Sequence, residues 1–178
     1  MPRQPDPRWR NAFEYTRRDG IAIRVASFAS LEAIAAEWVP LVSDDVPPGI
    51  AELLATSRSL VADAWFNYEY LAVACLVAVQ AVEATCREVV YPSAPDRESF
   101  QSLFARAVQE GRLPDPGRLA PRVGTKPHEP YALPELRNKL SHPGGQAAFP
   151  PAIAGPLLAA SHEIVGHLVT SARPRSST

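Results

Sequence analysis

Between residues 50 and 90 the apolar side chains recur at the three- and four-residue intervals of a helix. Leu53, Leu54, Leu60, Val61 and Trp65 keep that spacing, and the aromatic cluster at 65–70 marks a kink or a junction of two helices. From 71 to 90 the chain is apolar on nearly every side, as expected of the central helix of a bundle, and Tyr91-Pro92 ends it. A further helix is predicted over 96–111, with Phe100, Leu103, Phe104, Ala107 and Val108 on one face and Gly111 as its stop. A short helix follows over 133–140. Pro151 opens the last one, whose apolar face is Ile153, Leu157, Leu158, Ile164, Val165 and Leu168.

Upstream the period changes. Phe13 and Tyr15, then Ile21, Ile23 and Val25, alternate with polar residues around Asp19-Gly20, which predicts a small hairpin within 9–25. Residues 1–8 read as a flexible arm. A short helix from Ser30 or Leu31 to Trp38 is stopped by Pro40, and Pro47-Pro48-Gly49 is a firm break. The expected organisation is an N-terminal arm, hairpin and short helix over 1–49, a helical domain over 50–172 and a tail over 173–178. The expected fold is all-α, an antiparallel helical bundle with a small N-terminal extension.

With 178 residues, 46% of them hydrophobic, the chain is long and apolar enough to build one core. The net charge of −1 supplies no overall basic field. Any nucleic-acid contact must use a local patch, drawn from 16 Arg and only 2 Lys. Cys75 and Cys86 share one helical segment and are about 16 Å apart along it, too far to bond. Reduced thiols point to the cytoplasm. The N-terminus has no apolar stretch of a signal peptide, and the apolar run 71–79 is too short to cross a bilayer.

Candidate chemistry concentrates in Arg137-Asn138-Lys139-Leu140-Ser141-His142, followed by Pro143 and two glycines that end the helix. Severing RNA without a metal or cofactor requires a base for the ribose 2′-OH, a cation for the charge growing on phosphorus, and an acid for the leaving 5′-oxygen. His142 can be base or acid. Arg137 can grip the phosphate with two parallel N–H bonds at every relevant pH. Asn138 lies four residues before His142, on its helical face, and can hold the imidazole in one tautomer. Arg137 and His142 diverge by about 140° on an ideal helix, so a two-fold dimer that pools two pairs would complete the site.

Glu83 and Arg87 form an (i, i+4) pair on the central helix. Beyond pairing with each other, Glu83 can orient Arg137 across the bundle, or Arg87 can add a second cation. The loop 112–131 carries Arg112, Arg118, Arg122, Lys126 and His128, which can guide an RNA backbone or simply be solvated. Trp65, Phe66, Tyr68 and Tyr70 at helical spacing read first as core or interface and second as base-stacking platforms. His162 and His167 are five apart and diverge, unlike zinc-binding helix pairs, so no metal site is expected.

The Arg137-Asn138-x3-His142 motif resembles the mark of the HEPN superfamily, an Arg, commonly followed by a polar residue, separated from a His by four to six residues in a helical bundle, and it fits the shortest form. The segments 68–87 and 100–111 are similar to that family's core and third helices, and the likeness covers about residues 50–172. The resemblance implies a homodimeric, metal-independent endoribonuclease that leaves 2′,3′-cyclic phosphate and 5′-hydroxyl ends. It also implies a bacterial toxin–antitoxin or anti-phage setting, with an antitoxin protein as a partner. Some members have lost catalysis, so it equally admits a silent module that binds RNA, a nucleotide or a protein.

Overall fold

The computed structural model describes residues 4–10, 13–16, 22–113, 133–141 and 150–172, and among these described residues it has six α-helices and one hairpin. The hairpin pairs β1 (Phe13–Thr16) antiparallel with β2 (Ala22–Val25), Phe13 opposite Val25 and Thr16 opposite Ala22. Helix α1 (Phe28–Ala36) starts two residues before the expected Ser30 because Ser27 is its cap. The Ser27 hydroxyl accepts from the Ser30 amide (3.2 Å), and the Ser30 hydroxyl accepts from the Ser27 amide (3.0 Å). Two first-turn donors are thereby satisfied reciprocally. The helix ends before Trp38, and a single 3-10 turn, Val39–Leu41, takes the chain onward.

Helix α2 (Pro48–Asp63) begins inside the predicted break, since proline at the first helical position gives up an amide that had no partner anyway. Ile50, Leu54, Ser57 and Val61 form its buried stripe. The expected interruption at the aromatic cluster is a true junction: α3 (Tyr70–Thr85) starts only after a break at 64–69. Helix α3 packs against α2 and two later helices, α5 (Leu133–Ser141) and α6 (Pro151–Ala172), and Ala74, Cys75, Ala78, Val79, Ala81 and Val82 are wholly buried. It closes in one wide π turn, Cys86–Val90, where the Tyr91 amide reaches back to the Cys86 carbonyl (2.9 Å).

Helix α4 (Phe100–Gln109) is shorter than the expected 96–111. Ser99 caps it by accepting from the Ser102 amide (3.1 Å), and residues 95–98 form a separate turn closed by Glu98 N–H to Pro95 C=O (2.8 Å). Its end follows expectation. Gly111 takes φ +66°, and the Arg112 amide returns to the Ala107 carbonyl, a closure that favours glycine. Helix α5 (Leu133–Ser141) carries the Arg137 segment, and α6 (Pro151–Ala172) completes the bundle.

Helix α6 differs from the one-faced helix expected. Ala154, Leu157, Leu158, Ser161, His162, Ile164, Val165 and Leu168 are all buried, so it is a second central helix beside α3. It is long and apolar enough to cross a membrane by composition alone, yet 72% of its most apolar window is buried inside the bundle. Its apolar surface is accounted for by the core.

The core does not stop at residue 49. Trp9, Val25, Leu31, Ile34, Trp38 and Val46 are buried in the same cluster as α3 and α6. The arm is also less free than the sequence implied, because residues 6–9 fasten onto the α2–α3 junction. Asp6 N–H donates to Trp65 C=O (2.8 Å), Tyr68 N–H donates to the Asp6 carboxylate (3.1 Å), and Trp9 Nε1 donates to Ala64 C=O (2.7 Å). These bonds serve backbone groups that the helix break deprived of partners. Arg8 pairs with Asp6 and Glu69 and lies over the Tyr68 ring.

Gly166 marks the closest approach of α6 to the turn at 39–41. A Cβ there would lie 2.4 Å from the Leu41 carbonyl oxygen. Gly166→Ala should therefore lower stability by about 2 kcal/mol, the scale of overpacking in a close-packed interior. Urea denaturation measures this, and an unchanged midpoint would contradict it.

Candidate functional site

Helix α5 sets Arg137 against α3, where Glu83 stands ready for it. Arg137 Nε donates to Glu83 Oε2 at 3.1 Å. The other oxygen, Oε1, accepts from Nε and Nη2 of Arg87, both at 3.3 Å. One carboxylate thus lies between two guanidinium groups, with its side chain only 15% exposed. The two readings of Glu83 are both realised, the local pair and the bridge across the bundle.

Arg87 sits second in the π turn and uses its remaining reach on the backbone, donating from Nη2 to the Glu98 carbonyl at 2.8 Å. That bond ties the end of α3 to the turn that precedes α4. Wide turns of this kind often accompany functional sites, because they shift the register of the side chains that follow.

These groups line one cleft of about 260 Å³, bounded by Glu83, Arg87, Arg97, Ser99, Arg137 and Asn138 among others. Arg137 brings two terminal nitrogens that hold no partner among the described residues, on a side chain 38% exposed. Glu98 turns its carboxylate to Arg106 (3.2 Å) and the Ser102 hydroxyl (3.1 Å). Asp96 also lines the cleft, next to Arg97, and the Glu83–Arg87–Arg137 group taken by itself carries one surplus positive charge, which suits a singly charged phosphodiester.

Removing the central carboxylate would leave two half-buried cations facing each other. Glu83→Gln should cost about 1–2 kcal/mol of stability, discounted for the partial exposure of both arginines. It should also free Arg137 to sample other rotamers. Thermal unfolding checks the first effect, and an unaltered midpoint would show that the bridge contributes little.

Arg137, Asn138, Glu83 and Arg87 are thus brought to one place. Asn138 is exposed at the cleft and holds no partner among the described residues. His142, Arg118, Arg122, Lys126 and His128 lie outside the described residues. Arg112 is no loose loop cation: it pairs with Glu110, donates to the Ser171 carbonyl (3.2 Å) and lies 5.8 Å from the Tyr91 ring centre.

The aromatic cluster is taken up within the chain. Trp65 stacks against Trp9 at 6.0 Å, Tyr68 meets Trp9 in a tilted contact at 5.1 Å, and Phe66 meets Phe28 at 5.5 Å. His162 is fully buried beside Trp38, and His167 is exposed on another face of the helix. The sequence reading missed Arg97 and the 95–98 turn. Three charged residues ahead of Ser99 look like the first turn of a helix, and only the Ser99 cap separates them from it.

Compared with models of protein families, with curated proteins and with solved structures, the chain gives no match in any of the three.

Proposed function

We propose that this chain is a HEPN-like, metal-independent endoribonuclease acting on single-stranded RNA. The observation that carries the reading is the Glu83–Arg137 contact. It fixes a guanidinium by its Nε and leaves both terminal nitrogens toward a cleft, on a helix whose last residue, Ser141, directly precedes His142 in the sequence. Arg137 grips the scissile phosphate through that free fork and stabilises charge as it develops on the equatorial oxygens. His142 takes the 2′-OH proton and returns a proton to the leaving 5′-oxygen. Glu83 positions the guanidinium without touching substrate. Arg87 holds the cleft wall. The attack of O2′ on phosphorus breaks the P–O5′ bond and leaves a 2′,3′-cyclic phosphate and a 5′-hydroxyl. DNA, lacking the 2′-OH, is spared.

Two protomers facing each other supply two Arg137–His142 pairs to one cleft. The divergence of about 140° that these two positions would have on an ideal helix supports this arrangement. The setting is cytoplasmic, in keeping with two buried free cysteines, and is that of a bacterial toxin or anti-phage effector held in check by an antitoxin protein. A second reading, a silent module that binds RNA, a nucleotide or a protein, draws on the charge balance of the cleft, whose lining sets the carboxylates of Glu83, Asp96 and Glu98 against the guanidinium groups of Arg87, Arg97 and Arg137.

Incubation of the protein with mixed RNA and excess EDTA tests the proposal. Fragments bearing cyclic-phosphate and 5′-hydroxyl ends, absent with Arg137→Ala and with His142→Ala, are the expected outcome. Binding of RNA by the wild type without cleavage would support the silent module, and 3′-hydroxyl ends that require a metal would refute the chemistry.

A further inference from the structure

The cleft holds a third guanidinium that takes no part in the Glu83 bridge. Arg97 is exposed on the 95–98 turn, lines the same cleft and has no hydrogen-bond or ion-pair partner among the described residues. Arg87 is differently placed. Its Nε and Nη2 are committed to Glu83 and to the Glu98 carbonyl, so its chief work is to pin the turn that presents Arg97. That turn is further closed by Glu98 N–H to Pro95 C=O and followed at once by the Ser99 cap. A cation on a braced turn loses less freedom when it meets a ligand than one on a free loop.

Charge adds a second reason. The Glu83–Arg87–Arg137 group carries one surplus positive charge, enough for a single phosphodiester. An RNA strand brings one negative charge with every nucleotide, so a strand threaded through the cleft presents a second phosphate that this group cannot balance.

We propose that Arg97 holds the phosphate adjacent to the scissile one and so sets where a single strand of RNA lies in the cleft. This rests on the RNA-cleaving reading above and adds to it a positioning residue distinct from Arg137. Arg97 contacts the strand by charge and not by base edge, so its contribution is the same for every sequence.

The test measures the affinity of the full chain for a mixed-sequence single-stranded RNA with 2′-O-methyl riboses, which cannot be cleaved, across a range of salt. Arg97→Ala should weaken binding roughly three- to tenfold at low salt and reduce the slope of log K against log salt by about 0.7, one phosphate contact on a single strand. Arg97→Lys should restore most of both. With cleavable RNA, Arg97→Ala should raise KM and leave kcat near the wild-type value. Its thermal midpoint should stay unchanged, whereas Arg87→Ala should lower the midpoint by unpinning the turn.

Wild-type affinity and salt slope in Arg97→Ala would overturn the role of Arg97 while leaving the nuclease reading intact. A wild type that neither binds nor cleaves RNA would overturn both.

Discussion

Arg137→Ala should lower the rate of RNA cleavage by about a thousandfold while shifting thermal unfolding only slightly. The size follows from what the side chain supplies. Removing one donor aimed at a developing oxyanion costs about a hundred- to a thousandfold in other hydrolytic sites. A guanidinium offers two such donors and a full charge. The stability effect is small because Arg137 is more than a third exposed and Glu83, its ion-pair partner among the described residues, is shared with Arg87.

Arg137→Lys should recover little. Arg137 uses Nε to meet Glu83, its two terminal nitrogens have no partner among the described residues, and in the proposed reaction they would meet the phosphate, a division that a single ammonium cannot make. Steady-state cleavage of a labelled RNA gives the rate, and a scan of unfolding gives the stability. Equal activity of the arginine and lysine forms would mean that the Glu83 contact plays no part in the chemistry.

Acid should weaken the fold through His162. This ring is fully buried beside Trp38, with Nδ1 2.8 Å from the Leu158 carbonyl. Burial pushes its pKa down from 6.5 to about 4. The Arg58 charge acts in the same direction, and the backbone carbonyls of Leu158 and Leu54 offset part of it. The neutral form is the one the core accepts.

Between pH 6.5 and 4 the unfolded chain takes up a proton that the folded chain refuses, so stability falls as pH falls through that window. The contribution is fully present above 6.5 and exhausted below 4. The loss amounts to roughly 3 kcal/mol. Against His162→Gln, which cannot titrate, the wild type should lose that amount more between pH 7 and pH 4. Urea denaturation at each pH measures it, and parallel curves for the two proteins would contradict the assignment.

What the sequence disclosed, and what it withheld, divides along range of interaction. Helices α3 and α4 were readable because the run from Leu71 to Val90 is apolar on nearly every side and Phe100, Leu103, Phe104, Ala107 and Val108 repeat at helical spacing, both properties of the local chain. The start of α1 was misplaced because Ser27 and Ser30 can both cap, and which one does depends on their reciprocal bonds. Asp6 and Arg8 read as part of a free arm because their partners, Trp65, Tyr68 and Glu69, lie about sixty residues on. The full burial of α6 was likewise hidden, since alanine, glycine and serine look indifferent in a pattern until a neighbouring helix approaches them.

At the site the same division holds. Arg137, Asn138, Glu83 and Arg87 were singled out by residue type and spacing, and one cleft unites them. The simultaneous engagement of both arginines by Glu83 was not readable, because it depends on the distance between α3 and α5. Nor was the Arg97 turn, whose place at the cleft is fixed by an arginine contact to a backbone carbonyl. Sequence patterns carry no record of such contacts.

In the proposed reaction Arg137 and His142 act in one chemical step at one cleft. Cleavage rates of Arg137→Ala, His142→Ala and the double variant test this most directly. Groups that act as a unit are strongly non-additive, so the double variant should be about as slow as the worse single one. Rate losses that multiply in the double variant, or a wild type that leaves RNA uncut, would contradict the account.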